Sequence, residues 1–138
     1  MNKTYTLSEH ELGTIVHDIL NIISNGVIVL RGDLAAGKTT FVKALAKYLD
    51  YTDDVTSPTF SLQQCYGDKL FHYDIYNHGL EHFISLGMLE ELDKEGLHCI
   101  EWGDDELVKI LTHAGIDTIT IDIKKLLNNM REYNVCTH

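Results

Sequence analysis

The amino-acid sequence predicts an α/β fold in which a central mixed, mostly parallel sheet is flanked by helices and completed by antiparallel hairpins. Three observations lead there. Val27-Ile28-Val29-Leu30 and Leu97-His98-Cys99-Ile100 are short, largely apolar runs of the kind found in strands buried on both faces. Segments with apolar residues at helical spacing alternate with these runs along the chain. Gly32-Asp33-Leu34-Ala35-Ala36-Gly37-Lys38-Thr39, directly after the first run, matches G-x-x-x-x-G-K-[ST] in full, a loop that leads from a strand into a helix.

The elements follow in order. Ser8-Glu9-His10-Glu11 has the S-x-x-E form of a capping box, and Leu12, Ile15, Val16, Ile19 and Ile23 continue at helical spacing. This predicts a first helix over 8–24, ended by Asn25-Gly26. After the strand Val27–Leu30 and the loop Gly32–Thr39, a second helix turns Phe41, Val42, Leu45, Ala46 and Leu49 inward and runs to about Asp50. Pro58, the only proline, falls in a polar stretch that reads as a loop. Phe60–Tyr66 and Lys69–Ile75 read as a hairpin around Gly67-Asp68. Short helices are expected over 79–93, a buried strand over 97–100 and an acidic helix over 104–113. Thr118–Ile123 alternates as a strand, and Met130–Cys136 returns antiparallel to it. No internal repeat or low-complexity tract interrupts the pattern, which fits one domain over 1–138.

Composition narrows the function classes. Apolar residues make up 44% of the 138 residues and charged residues 23%, a globular balance. No apolar run approaches the ~20 residues of a membrane span, and no charged-then-apolar leader opens the chain, so a cytoplasmic protein with no membrane partner is expected. Cys65, Cys99 and Cys136 form no C-x-x-C pair, which points to reduced thiols. Eleven Lys and Arg against 21 Asp and Glu give a net charge of −10, with no basic stripe, so unaided binding of nucleic acid is not expected. Nine acidic residues and a single lysine, Lys94, lie between Glu81 and Glu106, a net of −8, whereas residues 1–46 are neutral. The acidic segment reads either as a solvated helical face or as a docking face for a basic partner, with Glu90, Glu91 and Asp93 as candidates.

The glycine-rich loop carries the strongest chemical signal. Such a loop wraps backbone N–H groups around the β-phosphate of a nucleotide, and the following helix adds its positive dipole end. Lys38 would reach the β- and γ-phosphate oxygens, Gly37 would admit the backbone to a phosphate, and the Thr39 hydroxyl would ligate Mg²⁺. The site also needs an acid at the end of a neighbouring strand. Glu101, ending the strand Leu97–Ile100, and Asp74, near the end of the strand holding Phe71 and Tyr73, are both candidates. Trp102, the only tryptophan, follows Glu101 and is either a packed aromatic or part of the site.

His78-Gly79-Leu80-Glu81-His82 spells a zinc-protease pattern, but Gly79 weakens the helix such a motif requires. Asp93-Lys94-Glu95-Gly96 precedes a strand instead of following one, unlike a GTPase switch, and no N-K-x-D motif is present. This tilts the base toward adenine or toward loose selection.

The stretch Gly32–Val42, together with Val55-Thr56-Ser57-Pro58-Thr59-Phe60, His72-Tyr73-Asp74-Ile75-Tyr76 and Ile100-Glu101-Trp102, resembles the TsaE (YjeE) family in motif order and spacing. The resemblance covers most of the chain and implies a small single-domain P-loop NTPase fold. It implies a Mg²⁺-dependent ATPase, binding ATP and ADP, that supports the making of threonylcarbamoyladenosine in tRNA. The implied partners are TsaD and TsaB, with tRNA engaged only through them. By the resemblance, Ala35, Ala36, Gly37, Lys38, Thr39 and Thr40 contact nucleotide, Thr39 and Glu101 hold the metal, and Asp74 and Trp102 take the family's functional Asp and Trp. Ser57-Pro58-Thr59-Phe60 takes the place of its switch-like segment, with Lys38, Asp74, Glu101 and Thr59 as the catalytic candidates. Base contacts are implied early in the first helix and at the last hairpin, where His10 and Arg131 are the candidates. Ala35 stands where the family has glycine, which costs about 1 kcal/mol if that position needs φ > 0.

Three other functions share some of these features. A small-molecule kinase would use the same loop but bring arginines to the transferred phosphoryl group, and this chain has only Arg31 and Arg131. A non-hydrolysing nucleotide-binding scaffold would use the same residues. An RNA-binding module would need affinity for tRNA that weakens steeply with salt.

Overall fold

The computed structural model describes residues 2–33, 36–51, 55–56, 63–76 and 79–138. Its elements are β1 (Asn2–Ser8), α1 (Leu12–Ile22), β2 (Gly26–Arg31), α2 (Lys38–Tyr48), β3 (Val55–Thr56), β4 (Gln63–Tyr66), β5 (Leu70–Asp74), α3 (Gly79–Ser85), α4 (Met88–Glu91), β6 (Leu97–Glu101), α5 (Asp105–His113), β7 (Thr118–Lys125) and β8 (Met130–Thr137). The strands form one eight-stranded sheet in the order β1-β8-β7-β2-β6-β5-β4-β3. Pairing is parallel through the middle, from β7 across β2 and β6 to β5, and antiparallel on both flanks.

The apolar run of β2 explains its place. Ile28 and Leu30 face a core built with α1 and α2, whereas Val27 and Val29 face a second core with α3, α4 and α5. All four are fully buried, as a strand covered on both faces requires. Phe41 and Leu45 of α2 and Ile15 and Ile19 of α1 close the first core. Leu107 and Leu111 of α5, Phe83 and Met88 close the second. No helix of the described residues is long and apolar enough to cross a membrane.

Several expected boundaries move. Residues 2–8 form an edge strand against β8, which the sequence reading leaves unassigned. The Ser8 N–H donates to the Glu11 carboxylate at 3.0 Å, as a capping box requires, but Glu9–Glu11 form a 3₁₀ turn and the α-helix starts only at Leu12. The hairpin around Gly67-Asp68 forms with shorter strands, β4 and β5; residues 60–62 of its expected first strand lie outside the described residues, as does Pro58. The last hairpin forms as expected, its corner made by Asn128 and Asn129, both at φ near +58° to +59°. Two consecutive left-handed residues give the turn whose twist matches the strands it joins. The expected acidic helix is α5, capped by the Asp104 carboxylate accepting from the Leu107 N–H at 3.0 Å.

A buried polar network revises the acidic face. Gln63 Nε2 donates to the Tyr73 hydroxyl and to Glu91 Oε1, both at 3.1 Å, and Lys94 Nζ donates to the same Glu91 oxygen at 2.8 Å. His98 Nε2 donates to the Lys94 carbonyl at 2.9 Å, so Nδ1 is free to accept from the Tyr73 hydroxyl at 2.8 Å. Glu91 is thus a buried member of the second core and not a docking residue, whereas Glu90 and Asp93 are exposed.

Phe41, fully buried beneath β2, is the sharpest probe of the first core. Phe41→Ala is expected to cost about 3–5 kcal/mol by cavity formation, read from urea denaturation; a loss below about 1 kcal/mol would contradict this packing.

Candidate functional site

The loop after β2 meets the C-terminal ends of β5 and β6 around one cavity of about 400 Å³, lined by Ala36, Gly37, Lys38, Thr39, Thr40, Asp74, Glu101, Trp102 and Arg131. Backbone conformation prepares the loop. Gly32 has φ +153°, and a Cβ there would stand 2.6 Å from the Ile123 carbonyl oxygen. Gly37, at φ +113°, caps α2, and a Cβ there would press on Arg131 Nε at 3.1 Å. Both glycines therefore answer to close approach as well as to φ.

Lys38, the first residue of α2, is buried with its Nζ donating to the carbonyls of Gly32 at 2.6 Å and Asp33 at 3.1 Å. The ammonium lies 3.6 Å from the centre of the Trp102 ring. Burial pushes its pKa down, against the opposing pull of Glu101, Asp74 and Asp33. Trp102 itself adopts φ +71° and packs against Tyr76, with ring centres 4.5 Å apart. Backbone strain at a non-glycine residue here aims the indole back over the loop.

Glu101 ends β6. Parallel register sets Leu30 on one side of it and Asp74 on the other. The Thr39 hydroxyl donates to Glu101 Oε2 at 2.9 Å, and His72 Nε2 contacts the same oxygen. Burial alone would raise the Glu101 pKa, but the bonds from His72 and Thr39 and the charge of Lys38 outweigh it and leave the carboxyl below its ordinary value. Asp74 is exposed, and its Oδ1 accepts from the Tyr76 N–H at 3.0 Å, which fixes the turn out of β5.

The Thr39–Glu101 oxygen pair suits a hard cation such as Mg²⁺, which takes few protein ligands and keeps waters or phosphate oxygens for the rest. Among the described residues no cluster of three or more His, Cys, Asp or Glu is poised for a metal. Of the His78–His82 pattern, Gly79 to His82 lie in α3, and His78 is outside the described residues. Arg131 Nε is buried without a hydrogen-bond partner among the described residues and stands beside Gly37, a donor left for an anion.

The structure gathers most of the expected residues. His10 instead lines an adjoining groove of about 820 Å³ between the 3₁₀ turn and α2, together with Gly13, Thr40 and Lys43. Thr40 belongs to both linings. Ala35 and Thr59 lie outside the described residues. Sequence reasoning gave no role to His72, although strand alternation puts positions 72 and 74 of β5 on the same face. It gave Arg131 to the base; the side chain stands beside Gly37 of the loop.

The lowered Glu101 pKa has a defined consequence for stability. A carboxyl whose folded pKa lies below its unfolded value, about 4.3, stabilises the fold fully above that value and loses the contribution as pH falls through the folded one. Glu101→Gln removes that component. Urea denaturation between about pH 7 and about pH 3 is expected to show a smaller acid-induced loss for the variant than for the parent protein, and equal losses would contradict the assignment.

Similarity to known proteins identifies the family. The family model "Threonylcarbamoyl adenosine biosynthesis protein TsaE" matches residues 6–133. A protein of Treponema pallidum named tRNA threonylcarbamoyladenosine biosynthesis protein TsaE is 38% identical over 126 residues, covering 89% of each chain. A protein of the same name from Rickettsia prowazekii is 35% identical over 116 residues, covering 80% of this chain and 77% of that one. The crystal structure of Bacillus subtilis YdiB superposes with a TM-score of 0.67 at 25% identity, over 98% of this chain and 84% of that one. With the family model matched over residues 6–133 and a relative 38% identical over 89% of each chain, this chain belongs to the TsaE family of threonylcarbamoyl adenosine biosynthesis proteins.

Proposed function

We propose that this chain binds ATP with Mg²⁺ in the cavity between the phosphate loop and the ends of β5 and β6, and hydrolyses it in support of tRNA threonylcarbamoyladenosine synthesis. The observation that carries the reading is the convergence of Lys38, Thr39, Asp74, Glu101 and Arg131 on one cavity at the carboxyl ends of parallel strands, where α/β sheets place their ligands.

Each residue has a part. Lys38 exchanges its two carbonyl acceptors for phosphate oxygens and neutralises charge that develops on them. The N–H groups at the start of α2 face the same anion. Arg131 supplies the unpartnered Nε beside Gly37. Thr39 and Glu101 would hold Mg²⁺, which would supply charge neutralisation for the nucleotide phosphates. Asp74, at the strand end next to Glu101, orients the attacking water, with the Thr59 hydroxyl as the other candidate. The groove with His10 starts at Thr40, where the phosphate cavity ends, and receives the adenine side of the ligand. ADP is held by the same loop after turnover.

The family's name places the work in tRNA modification, and we assign the partners as TsaD and TsaB homologues in the cytoplasm. The net charge of −10 keeps tRNA on the partners' side, and Glu90 and Asp93 offer exposed acid to a basic partner surface. A small-molecule kinase is disfavoured by its arginines. Arg31 Nε donates to the Gly103 carbonyl at 3.1 Å and its terminal nitrogen pairs with Asp105 at 3.0 Å, which leaves Arg131 alone at the cavity.

Release of γ-phosphate, measured in a single turnover with and without TsaD and TsaB homologues, tests the reading. Stimulation by the partners is expected, with a loss of about a hundredfold or more in Lys38→Ala. Near-parental release by that variant, or phosphate transfer to a small acceptor in place of water, would contradict it.

A further inference from the structure

His72 sits in β5, is 5% exposed, and has no part in the chemistry assigned above. Strand alternation puts it with Leu70 on the α1–α2 face, opposite Cys99 in the parallel ladder and two residues short of Glu101. Its Nε2 meets Glu101 Oε2, and because a carboxylate oxygen only accepts, Nε2 is the donor. Its Nδ1 is buried with no hydrogen-bond partner among the described residues. An aliphatic side chain at this position would fill the space without leaving a nitrogen unpaired, so packing does not account for an imidazole. The contact with Glu101 does. Two donors, His72 from β5 and Thr39 from α2, thus converge on one oxygen of a side chain with three rotatable bonds.

We propose that His72 is a positioning residue for Glu101: its Nε2–H holds the carboxylate against the Thr39 hydroxyl and thereby sets the Mg²⁺ dependence of nucleotide binding. The proposal rests on the reading of the cavity as a metal–nucleotide site. Groups that orient a metal-binding side chain commonly govern metal affinity by 10–100-fold.

Asparagine and glutamine at position 72 separate this role from a structural one. Both bury an amide, but the glutamine nitrogen reaches about as far as Nε2, whereas the asparagine nitrogen reaches only about as far as Nδ1. ADP affinity is measured on the intact protein with Mg²⁺ titrated in, and again in EDTA, with thermal melting as the folding check. His72→Asn is expected to raise the Mg²⁺ concentration needed for tight ADP binding by about 10–100-fold, with affinity in EDTA changed by less than about twofold. His72→Gln is expected to stay within about threefold of the parent protein in both conditions, and His72→Leu, the second variant should asparagine prevent folding, to behave as His72→Asn. In a Glu101→Gln background, His72→Asn should add nothing. Equal losses in the asparagine and glutamine variants, or a loss of the same size in EDTA, would overturn the proposal. Parent protein whose ADP affinity ignores Mg²⁺ would overturn the metal–nucleotide reading and this proposal together; a Mg²⁺-dependent parent with an unaffected His72→Asn would overturn this proposal alone.

Discussion

Parallel pairing of β6 with β2 on one side and with β5 on the other is the constraint from which the site follows. Register fixes Leu30 opposite Glu101 and Asp74 opposite Glu101, so the phosphate loop and both carboxylates leave the sheet along one edge. A slip of one residue in β6 would turn the Glu101 side chain to the α3–α5 face and leave Thr39 facing a different residue. Register is held by burial on both faces, since every residue from Val27 to Leu30 has its own side of the sheet to fill. Core packing and site geometry therefore depend on the same alignment.

The two faces of the sheet use buried polarity differently. On the α1–α2 face, Lys38 and Glu101 are buried yet line the cavity, where their interactions can be exchanged for those of a ligand, and the buried His72 meets Glu101. On the other face, Gln63, Tyr73, His98 and Glu91 satisfy one another, and burial raises the Tyr73 pKa and lowers that of His98, so both stay neutral. Such a closed network specifies the packing of α4 against β4 and β5 and has little left for a partner. This is why one acidic segment divides into a structural acid, Glu91, and exposed ones, Glu90 and Asp93.

Much of the fold was legible in the sequence because its signals are local. The run Val27–Leu30, the helical spacing after Ser8 and after Thr39, and the alternation of Thr118–Ile123 each depend on a few consecutive residues. β1 was not legible: its side chains are mostly exposed, so no hydrophobic period marks it, and its partner β8 lies at the opposite end of the chain. The loop residues Gly37, Lys38 and Thr39 were legible because phosphate binding demands a fixed spacing. Glu101 followed from its place at the end of a buried run. His72 was legible as part of a family motif, but its contact with Glu101 depends on which strands are neighbours, and that is a property of topology. The reach of Arg131 from the last hairpin back to Gly37 is of the same kind.

The central claim, that the phosphate loop and the end of β6 form one nucleotide site, is tested most directly by Trp102. It is the only tryptophan in the chain, and its ring stands over the Lys38 ammonium. Titration of the intact protein with MgATP should change its emission saturably, at the same concentration at which calorimetry registers binding, and Lys38→Ala should abolish both signals. Calorimetric binding of MgATP that leaves the Trp102 emission unchanged, or that survives in Lys38→Ala, would place the nucleotide elsewhere and contradict the account.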